Sequence, residues 1–551
     1  MAGNLLAAIS WKTLTVDENI HIPAGYYYLV AGDFRINNEH PPLVKMWAAL
    51  PLLLVQPDEP APSVNAEEDY RERTWGFDQR FWELNRQRFA AVSFWPRVMM
   101  VPLTLALGFL IFVFARRLFG ATAALISLGL YVLEPTILAH GRIVHTDVPA
   151  ALAYLLVFFS LYQYHGQASF KRALWLGTTA AVALLTKFSM VVIVPVLALY
   201  LLGRYLISRR SAPAGRQLLR HTAAISVIIL LLINIAYRFQ HPPLDEGDVR
   251  WLSLQTPSLL GPIMTGLRIV SKIIPTYYLF GFYNVEIHNY YGHAASLLGQ
   301  HSNRGWWYYF PLAFALKSTI PFLLLAMVAL AWMVWRWAKQ REARFAFLLA
   351  PILIYLAIAF ASHINIGIRH FIPIYPFLFI AGGALLAELL RYRKPAGIAV
   401  LVLMFGWTTV EAFRAFPDYI PYMNQLAAGR PHWYYLADSN VEWGDDIGGL
   451  AAYLKARGET RVCGAVQGGR QTLPNYGVEY VDLETRAPDV TPETGYVAIG
   501  ASELNGATNF ITTSDGSPVT EEQRVNFFAR YRDRQPEAII GGSIYLFRVK
   551  Q

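Results

Sequence analysis

The sequence predicts a mainly α-helical, polytopic membrane protein with about eleven transmembrane helices and a small C-terminal α/β domain outside the membrane. Of its 551 residues, 55% are hydrophobic and only 15% are charged, against about 25% charged residues in ordinary soluble domains. Its apolar runs approach the ~20 residues that a helix needs to cross ~30 Å of hydrocarbon. These runs are predicted to be helices, because a backbone exposed to lipid must form its hydrogen bonds internally.

Ten full spans fit between loops that are rich in arginine and lysine. They cover about residues 98–115, 120–133, 148–164, 173–186, 190–207, 221–237, 309–335, 345–362, 371–390 and 396–411. A short apolar start at residues 3–11 raises the count to eleven, although it is too short to cross a bilayer of ordinary thickness. Another apolar run, at residues 43–55, is also too short and is predicted to lie in the membrane interface as an amphipathic helix.

The net charge of +9 is concentrated in alternate short loops. These loops hold Arg116, Arg117, Lys171, Arg172, Arg204, Arg209, Arg210, Arg216, Arg220, Arg336, Lys339, Arg341, Arg344, Arg391, Arg393 and Lys394, whereas the opposite short loops hold little beyond Lys187 and Arg369. The positive-inside rule places the basic loops in the cytoplasm and the three long segments 12–97, 238–308 and 412–551 outside. Because the basic residues are spread over short loops rather than gathered on one folded surface, we expect no nucleic-acid partner.

Two parts of the chain differ in composition. Residues 1–411 are predicted to form the transmembrane domain, with 12–97 as its first outer loop and 238–308 as its large outer loop. From about residue 412 a helical pattern and short β-type runs, such as "RVCGAV" and "GSIYLFRV", predict a C-terminal extracytoplasmic α/β domain over 412–551. The single cysteine, Cys463, excludes an intramolecular disulfide.

The first cluster of ionisable residues is "TVDENI", where Asp17 and Glu18 follow the apolar start. Acidic residues beside hydrocarbon are costly unless they are used or paired, so both are candidates for chemistry. For Glu18 an alternative is equally concrete, since Thr15 and Glu18 match the S/T-x-x-E capping box that begins a helix.

The second cluster is "NNEHPPLVK". Its two prolines exclude a helix through the turn, so they hold Glu39 and His40 at a defined place just before Lys45. The alternative is an ordinary loop entry with a solvated glutamate and a lysine that extends its amine to the interface.

The third cluster is "EPTILAHGRIVHTDVP", which supplies Arg142, His145 and Asp147 where a short connection would suffice. Asp147 before Val148 and Pro149 is also typical of a helix N-cap. The pair His145 and Asp147 could bind a divalent ion together with Glu39 or His40, although this spacing is generic.

The fourth cluster, "NIGIRHFIPIYP", places Arg369 and His370 at the start of a helix, on the outer side of the membrane. A guanidinium suits a phosphate, whereas the alternative for Arg369 is an interfacial anchor beside Tyr375. For the isolated Lys187 the favoured interpretation is a snorkelling side chain. The acidic segment "DSNVEWGDD" at 438–446 resembles a calcium loop only loosely, and a helix cap suits it better.

Together, "DENIHIPAGYYYLVAGDFRINNEHPPLVK", "EPTILAHGRIVHTD", "GWWYYFPLAFALKSTIPF", "NIGIRHFIPIYP" and "LADSNVEWGDD" resemble glycosyltransferase family 39, the protein mannosyltransferase-like family, and its bacterial relatives, the phospholipid-carrier-dependent glycosyltransferases. The resemblance covers nearly the whole chain and implies the GT-C fold, with residues 1–411 as its catalytic domain. It implies that Asp17 is the catalytic acid-base residue, that His40, Pro41, Pro42 and Lys45 surround the donor phosphate, and that Arg142 and Asp147 lie beside the site.

The resemblance also implies a function. The expected reaction is inverting transfer of a sugar from a polyprenyl-phosphate-linked donor to an acceptor hydroxyl at the outer face of the membrane, with the donor lipid and an acceptor protein, lipid or glycan as partners. We expect a multi-pass protein of the bacterial inner membrane, with a divalent metal as a possible but unassigned cofactor. The predicted site comprises Asp17 and Glu18 as catalytic residues, His40, Lys45, Arg142 and Arg369 around the donor phosphate, and Glu39, Asp147, His145 and His370 in support.

The main alternative from another functional class is a polytopic transporter or flippase of lipids or solutes. Transporters usually place their charged residues on broken helices at the middle of the bilayer. Here the ionisable clusters lie at the edges of loops on one side, which favours chemistry at the membrane surface.

Overall fold

The computed structural model describes residues 1–60, 68–208, 212–483, 495–507 and 520–549. Among these residues, eight helical segments are long and apolar enough to cross a membrane. They are Arg86–Phe119, Asp147–Gly166, Phe188–Ile207, Pro213–Ala236, Ile320–Gln340, Ala343–Ala361, Ile368–Tyr392 and Lys394–Arg414. The protein is therefore mainly α-helical and polytopic, which confirms the predicted fold class.

The described helices are numbered here in chain order. The first six are α1 (Ala2–Trp11), α2 (Val16–Val30), α3 (Pro42–Ala49), α4 (Leu52–Val55), α5 (Tyr70–Leu84) and α6 (Phe89–Val98). The next seven are α7 (Met100–Phe119), α8 (Ala121–Leu133), α9 (Pro135–His140), α10 (Asp147–Gly166), α11 (Phe170–Leu184), α12 (Ile193–Ser208) and α13 (Ala212–Ala236). Then follow α14 (Glu246–Gln255), α15 (Leu260–Val270), α16 (Thr276–Tyr291), α17 (Tyr309–Lys317), α18 (Ile320–Gln340), α19 (Ala343–Ala361), α20 (Tyr375–Tyr392) and α21 (Lys394–Arg414).

The remaining helices are short and lie in the C-terminal part. They are α22 (His432–Tyr435), α23 (Ile447–Lys455), α24 (Gly469–Thr472), α25 (Ala501–Asn505), α26 (Glu521–Asn526) and α27 (Ala529–Arg532). Short 3-10 helices cover Arg86–Arg88, Phe188–Val192, Pro257–Leu259, Ile368–Ile374, Gln425–Ala427, Asp438–Asn440 and Leu473–Tyr476.

Nine of the ten predicted full spans each fall mainly on one described α-helix, although α8 and α11 have only 13 and 15 residues. The apolar start is α1, a helix of 10 residues. The predicted span 309–335 is wrong as one helix, because the backbone is extended at Ser318 and Thr319 between α17 and α18. Pro321 lies in the first turn of α18, where a residue without an N–H is tolerated, and a new helix therefore begins there.

The predicted interfacial helix at 43–55 is two helices, α3 and α4, which are separated at Leu50 and Pro51. Leu54 is 89% exposed, as expected for an apolar side chain that faces lipid, whereas Lys45 is only 1% exposed. The alternative in which Lys45 extends its amine toward the interface is therefore wrong.

The central helix of the bundle is α20, which packs on α7, α8, α18 and α21. Within its membrane-spanning segment 78% of the apolar window is buried, a larger share than for the seven other spans of the described chain. Large aromatic side chains fill this core, among them Tyr375, Phe377 and Phe379. Buried aromatic rings contribute most of the packing area in such a core, so the start of α20 is held in a fixed position.

The ionisable clusters gather at one end of the helix bundle. Asp147 begins α10 and Lys187 follows α11, and Nζ of Lys187 lies 2.6 Å from Oδ1 of Asp147. The other ends of the same two helices meet near Arg172, whose guanidinium donates to the carbonyl oxygen of Gln163. The basic connections and the ionisable clusters therefore occupy opposite ends of α10 and α11.

The C-terminal part contains a five-stranded sheet with strand order β4-β3-β5-β7-β6. Its strands are β3 (Arg461–Ala465), β4 (Glu479–Asp482), β5 (Tyr496–Gly500), β6 (Ala538–Ile540) and β7 (Ile544–Arg548), and a separate hairpin is formed by β1 (Ala295–Leu297) and β2 (Gln300–Ser302). Strand β3 is parallel to β4 and β5, whereas β7 is antiparallel to β5 and β6. This part is α/β in character, and the domain boundary at residue 412 stays a prediction.

Candidate active site

Asp17 lies at the start of α2, which a complete capping box fixes in place. The Thr15 side chain accepts from the Glu18 N–H, and the Glu18 carboxylate accepts from the Thr15 N–H at 2.8 Å. This arrangement satisfies two backbone donors that a helix start otherwise leaves unpaired. Asp17 is thereby presented in the first turn, where the helix dipole favours a negative charge.

The Asp17 carboxylate binds two groups from distant parts of the chain. Its Oδ2 lies 2.7 Å from Nη1 of Arg369 and 3.0 Å from Nε2 of His145. The Asp17 side chain is 28% exposed, whereas those of Arg369 and His145 are 6% and 5% exposed. An accessible carboxylate is thus held by two groups that are themselves buried.

A chain of paired ionisable side chains continues behind His145. Nδ1 of His145 lies 2.6 Å from Oδ2 of Asp147, and Oδ1 of Asp147 accepts from Nζ of Lys187 at 2.6 Å. The imidazole therefore lies between the carboxylates of Asp17 and Asp147. A side chain held on both sides in this way keeps a fixed orientation, as the third member of a catalytic triad does for its histidine.

This environment keeps Asp17 ionised. Burial alone would raise the pKa of Asp17, but the Arg369 guanidinium and the His145 ring outweigh it and hold that pKa well below its usual value. An ionised carboxylate only accepts hydrogen bonds. Asp17 can therefore receive a proton from a hydroxyl group that reaches its exposed oxygen.

Three histidines lie together beside this carboxylate. His21, His40 and His145 each offer a ring nitrogen, and these atoms lie within 4.8 Å of one another. His21 directs Nδ1 at the Val144 carbonyl oxygen, 2.9 Å away, which leaves Nε2 for another partner. Burial, and then the nearby His145, lowers the pKa of His21 to about 3, so its ring is neutral as a metal ligand must be.

The three imidazoles fit Zn²⁺, which binds three histidines and a water in some catalytic sites. One contact opposes it, because Nη1 of Arg369 lies 2.9 Å from Nε2 of His145. A metal at this nitrogen would have to displace the guanidinium.

Glu18 lies in a different environment from its neighbour. It is fully buried, accepts from the Val144 N–H at 2.8 Å and lies 3.4 Å from Nε of Arg97. The helix-capping interpretation of Glu18 is confirmed, and its carboxylate oxygens already have partners. The catalytic role predicted for Glu18 stays a prediction, and neither carboxylate oxygen is left without a partner to support it.

Two of the other predicted phosphate ligands, Lys45 and Arg142, bind protein groups other than Asp17 and Arg369. Lys45 directs Nζ at the backbone and side-chain oxygens of Asn37, 2.5 and 3.0 Å away, and burial lowers the pKa of Lys45 to about 7. Arg142 is fully buried and donates to Oδ2 of Asp445 at 2.7 Å. The roles predicted for both residues at the phosphate stay predictions.

Among the supporting residues, His145 contacts Asp17 directly and Asp147 contacts His145 from behind, whereas Glu39 is exposed. The predicted phosphate ligand His40 is half-buried. His370 is half-buried and its ring contacts Phe310, with 6.5 Å between the ring centroids. Asp147 is not an N-cap, because α10 is capped at Thr146 and the Asp147 carboxylate binds Lys187 instead. The snorkelling interpretation of Lys187 and the interfacial-anchor interpretation of Arg369 are both wrong, since the two side chains are buried in ion pairs.

The sequence interpretation missed two residues of the site. His21 follows Asp17 by one helical turn, and this spacing on one helix face could have identified it. Trp443 lies with its ring centroid 4.1 Å from the guanidinium carbon of Arg369 and 5.4 Å from the ring centroid of His145. No local pattern links it to Asp17, because the fold brings it there from the C-terminal part.

Comparisons with known proteins found one similarity in sequence and several in structure. Residues 81–237 match the family model described as dolichyl-phosphate-mannose-protein mannosyltransferase. The structure is similar to that of ArnT from Cupriavidus metallidurans bound to undecaprenyl phosphate, with a TM-score of 0.50, 13% identity, and coverage of 99% of this chain and 95% of that one. No curated protein sequence matches.

Two further structures are similar at lower scores. The apo state of ArnT from Cupriavidus metallidurans has a TM-score of 0.45 and 14% identity, over 87% of this chain and 83% of that chain. The Archaeoglobus fulgidus oligosaccharyltransferase in complex with Zn and sulfate has a TM-score of 0.47 and 9% identity, over 89% and 64%. The likeness to the ArnT structure with undecaprenyl phosphate, at a TM-score of 0.50, shows that the chain has the GT-C fold. At the level of this fold and of the family match over residues 81–237, the expectation of a glycosyltransferase is confirmed.

Proposed function

We propose that this protein transfers a sugar from a polyprenyl-phosphate donor to an acceptor hydroxyl, with inversion at the anomeric carbon. The observation that carries the proposal is the position of Asp17. Its carboxylate is 28% exposed and is bound to a buried arginine at the end of the GT-C bundle. One exposed base beside one fixed cation is the pair of groups that such a transfer requires.

The reaction follows from this pair. The acceptor oxygen attacks the anomeric carbon on the side opposite the phosphate while an Asp17 oxygen takes the hydroxyl proton. A new carbon–oxygen bond forms as the bond between sugar and phosphate breaks, and polyprenyl phosphate leaves with the electron pair. A positioned general base of this kind typically contributes about 10²–10⁴ in rate.

Arg369 stabilises the charge that grows on the leaving phosphate. A guanidinium can donate two parallel hydrogen bonds to phosphate oxygens, and that of Arg369 already borders the Asp17 carboxylate at 2.7 Å. When a phosphate shares this cation, Asp17 loses part of the attraction that lowers its pKa. Donor binding therefore makes Asp17 a stronger base at the moment when a base is needed.

Lys45 supports the site through the turn that precedes it. Its amine binds Asn37 and the Tyr28 hydroxyl, and thereby fixes the segment that carries Glu39 and His40. Asp147 and Lys187 in turn hold His145 in place behind Asp17. The bound undecaprenyl phosphate of the similar ArnT structure supports a polyprenyl phosphate as the carrier.

The active site is proposed to face the outside of a bacterial inner membrane. The alternation of helices places Asp17, Asp147 and Arg369 at the bundle end opposite the basic loops, and the positive-inside rule places those loops in the cytoplasm. The acceptor is a protein, lipid or glycan hydroxyl on that side. If a divalent ion binds, His21, His40 and His145 would hold it, and it would supply a Lewis acid near the departing phosphate. Neither the proton transfer to Asp17 nor the role of Arg369 depends on this ion.

The proposal is tested with purified protein in nanodiscs and a panel of radiolabelled polyprenyl-phosphate sugars, with and without EDTA. We expect label to move to acceptor from at least one lipid donor and from no nucleotide sugar. Asp17→Asn should abolish the transfer, whereas Asp33→Asn, which removes an acid paired with Arg35, should not. Loss with EDTA and recovery with Zn²⁺ would assign a metal to the three histidines.

The alternative functional class gives a different result in the same nanodiscs. A flippase or transporter should move labelled lipid across the membrane without breaking the bond between sugar and phosphate, and should do so in Asp17→Asn as well. That outcome would contradict the proposed function.

A further inference from the structure

We propose that residues 438–446, here called the clamp loop, are a positioning element of the active site that holds Arg369 and Asp17 against each other. The inference rests on the proposed function and assigns a role to the C-terminal part of the chain. In the chain the clamp loop lies between α22 and α23, before the C-terminal sheet. It contacts Arg369 and Val16, the residue before Asp17, and is tied to the sheet on its far side.

The first contact is between Trp443 and Arg369. The Trp443 side chain is 2% exposed, and its ring centroid lies 4.1 Å from the guanidinium carbon of Arg369. A desolvated cation is attracted more strongly to the face of an indole than an exposed cation is. The same ring meets His145 edge-on, with 5.4 Å between centroids, so Trp443 supports both groups that bind the Asp17 carboxylate.

The second contact fixes the backbone that carries Arg369. The side-chain oxygen of Asn440 accepts from the Ile368 N–H at 2.9 Å, and the hydroxyl of Ser439 donates to the Ile366 carbonyl oxygen at 2.8 Å. Between these two bonds lies Gly367. A Cβ at that position would lie 2.3 Å from Oγ of Ser439, so the clamp loop packs directly against Gly367, two residues before Arg369.

The third contact fixes the start of α2. The Val16 N–H, next in the chain to Asp17, donates to the Trp443 carbonyl oxygen at 2.9 Å, and the Thr13 N–H donates to the Asp445 carbonyl oxygen at 2.9 Å. Arg142 donates to the Asp445 carboxylate at 2.7 Å. Trp443 thus holds Arg369 with its ring and the helix of Asp17 with its backbone.

The far side of the clamp loop is bound to the C-terminal sheet through Glu442. Its carboxylate accepts from the Gln467 N–H after β3 and from the Ser502 N–H after β5, both at 2.9 Å. These strands are parallel neighbours, so their carboxyl ends lie together and one carboxylate reaches both. Charge-assisted bonds of this kind are about twice as strong as neutral ones, and the sheet therefore anchors Trp443.

This arrangement explains why an α/β domain follows a complete helix bundle. Asp17, on α2, and Arg369, before α20, belong to separate helical segments that could shift relative to each other. Trp443 contacts both segments, other residues of the clamp loop add hydrogen bonds to each, and the sheet holds the loop through Glu442. Loss of the Trp443 ring should allow the Arg369 guanidinium to move relative to the Asp17 carboxylate, although both side chains are still present.

The test compares Trp443→Leu and Trp443→Phe with Trp175→Leu, which removes a tryptophan that is 42% exposed on α11. In the transfer assay we expect Trp443→Leu to lower kcat about 10–50-fold, the factor that corresponds to ~2 kcal/mol at ~1.4 kcal/mol per tenfold. Trp443→Phe should recover part of the loss, because a phenyl ring still faces the cation. Trp175→Leu should leave kcat unchanged.

The pH profile separates positioning from a merely structural role. The groups that face Asp17 are Arg369 from the segment before α20, His145 from the segment before α10, and His21 from α2 itself. Two carboxyl groups also interact with Asp17, those of Asp438 in the clamp loop and Glu39 in the turn before α3, and both are unchanged in these variants. When Arg369 is held less firmly, Asp17 is less stabilised as an anion, and the acid limb of kcat/KM should move to higher pH in Trp443→Leu. A merely structural role would reduce the yield of folded enzyme but leave kcat per folded molecule and the acid limb unchanged.

A second variant keeps the inference testable if Trp443→Leu does not fold. Glu442→Gln keeps the shape of the side chain and weakens the anchor to the sheet, so it should change kcat and the acid limb in the same direction. If Trp443→Phe and Glu442→Gln both show the wild-type kcat and pH profile while Asp17→Asn abolishes transfer, the clamp-loop inference is overturned and the proposed function is not. If the wild type transfers no sugar, the proposed function itself has failed.

Discussion

The ion pair between Asp147 and Lys187 offers a quantitative test of the structure behind His145. The two side chains are 1% and 7% exposed and their charged atoms are 2.6 Å apart. At an effective dielectric constant of ~20, Coulomb's law gives about 6 kcal/mol for this separation. Part of this attraction offsets desolvation, and removal of one partner from a buried pair costs about 3–5 kcal/mol.

We therefore expect Lys187→Met to lower the free energy of unfolding by about 3 kcal/mol, at the low end of that range because His145 still faces Asp147. The double variant Asp147→Asn, Lys187→Met should recover most of this loss, since no charge is left unpaired. The measurement is reversible unfolding in mixed detergent micelles, arranged as a double-mutant cycle.

The control for this cycle is the pair of Arg470 and Asp482. Its charged atoms are 2.8 Å apart, but the two side chains are 56% and 18% exposed, so the coupling between them should be only ~0–1 kcal/mol. If the two cycles give equal coupling energies, or if Lys187→Met leaves the stability unchanged, the buried pair described here is incorrect.

Two further predictions concern the residues beside Asp17. Glu18→Gln removes one charge from the capping box and from the contact with Arg97, so the free energy of unfolding should fall by about 1–3 kcal/mol. The kcat of the folded enzyme should stay near that of wild type. A loss of kcat as large as that of Asp17→Asn would refute the capping role of Glu18. Arg369→Gln removes the cation that lowers the pKa of Asp17, so burial should raise this pKa. Because the base works only when ionised, activity will then be lost as pH falls through the raised value, and the acid limb of kcat/KM should move to higher pH than in wild type. An unchanged acid limb with reduced kcat would show that Asp17 is not the titrating base.

The helices were predictable from the sequence, because each span is a long apolar run between polar loops. The helix start at Thr15 and Glu18 was also predictable, since a capping box is a local pattern. The break between α17 and α18 was missed, although Pro321 is a local signal for it. Hydropathy alone does not show this break, because Ser318 and Thr319 interrupt the helix without interrupting the apolar run on either side.

The composition of the site was predictable only in part. Asp17, His145, Asp147 and Arg369 were identified because each is an ionisable residue next to an apolar span, where charge is costly. Their pairing was not predictable, since Asp17 and Arg369 are brought together by the packing of α20 within the bundle. Trp443 was missed for the same reason, because an aromatic residue in an acidic loop has many structural uses, and only the fold shows which cation lies over its ring.

The central claim is that Asp17 takes the proton of the acceptor while the lipid-linked phosphate leaves. The most direct measurement is a single-turnover experiment in which Asp17→Asn is first saturated with labelled polyprenyl-phosphate sugar and then mixed with acceptor. We expect donor affinity within a few-fold of wild type and a rate of transfer lowered by about 10²–10⁴. A variant that binds donor and transfers the sugar at the wild-type rate would contradict the account.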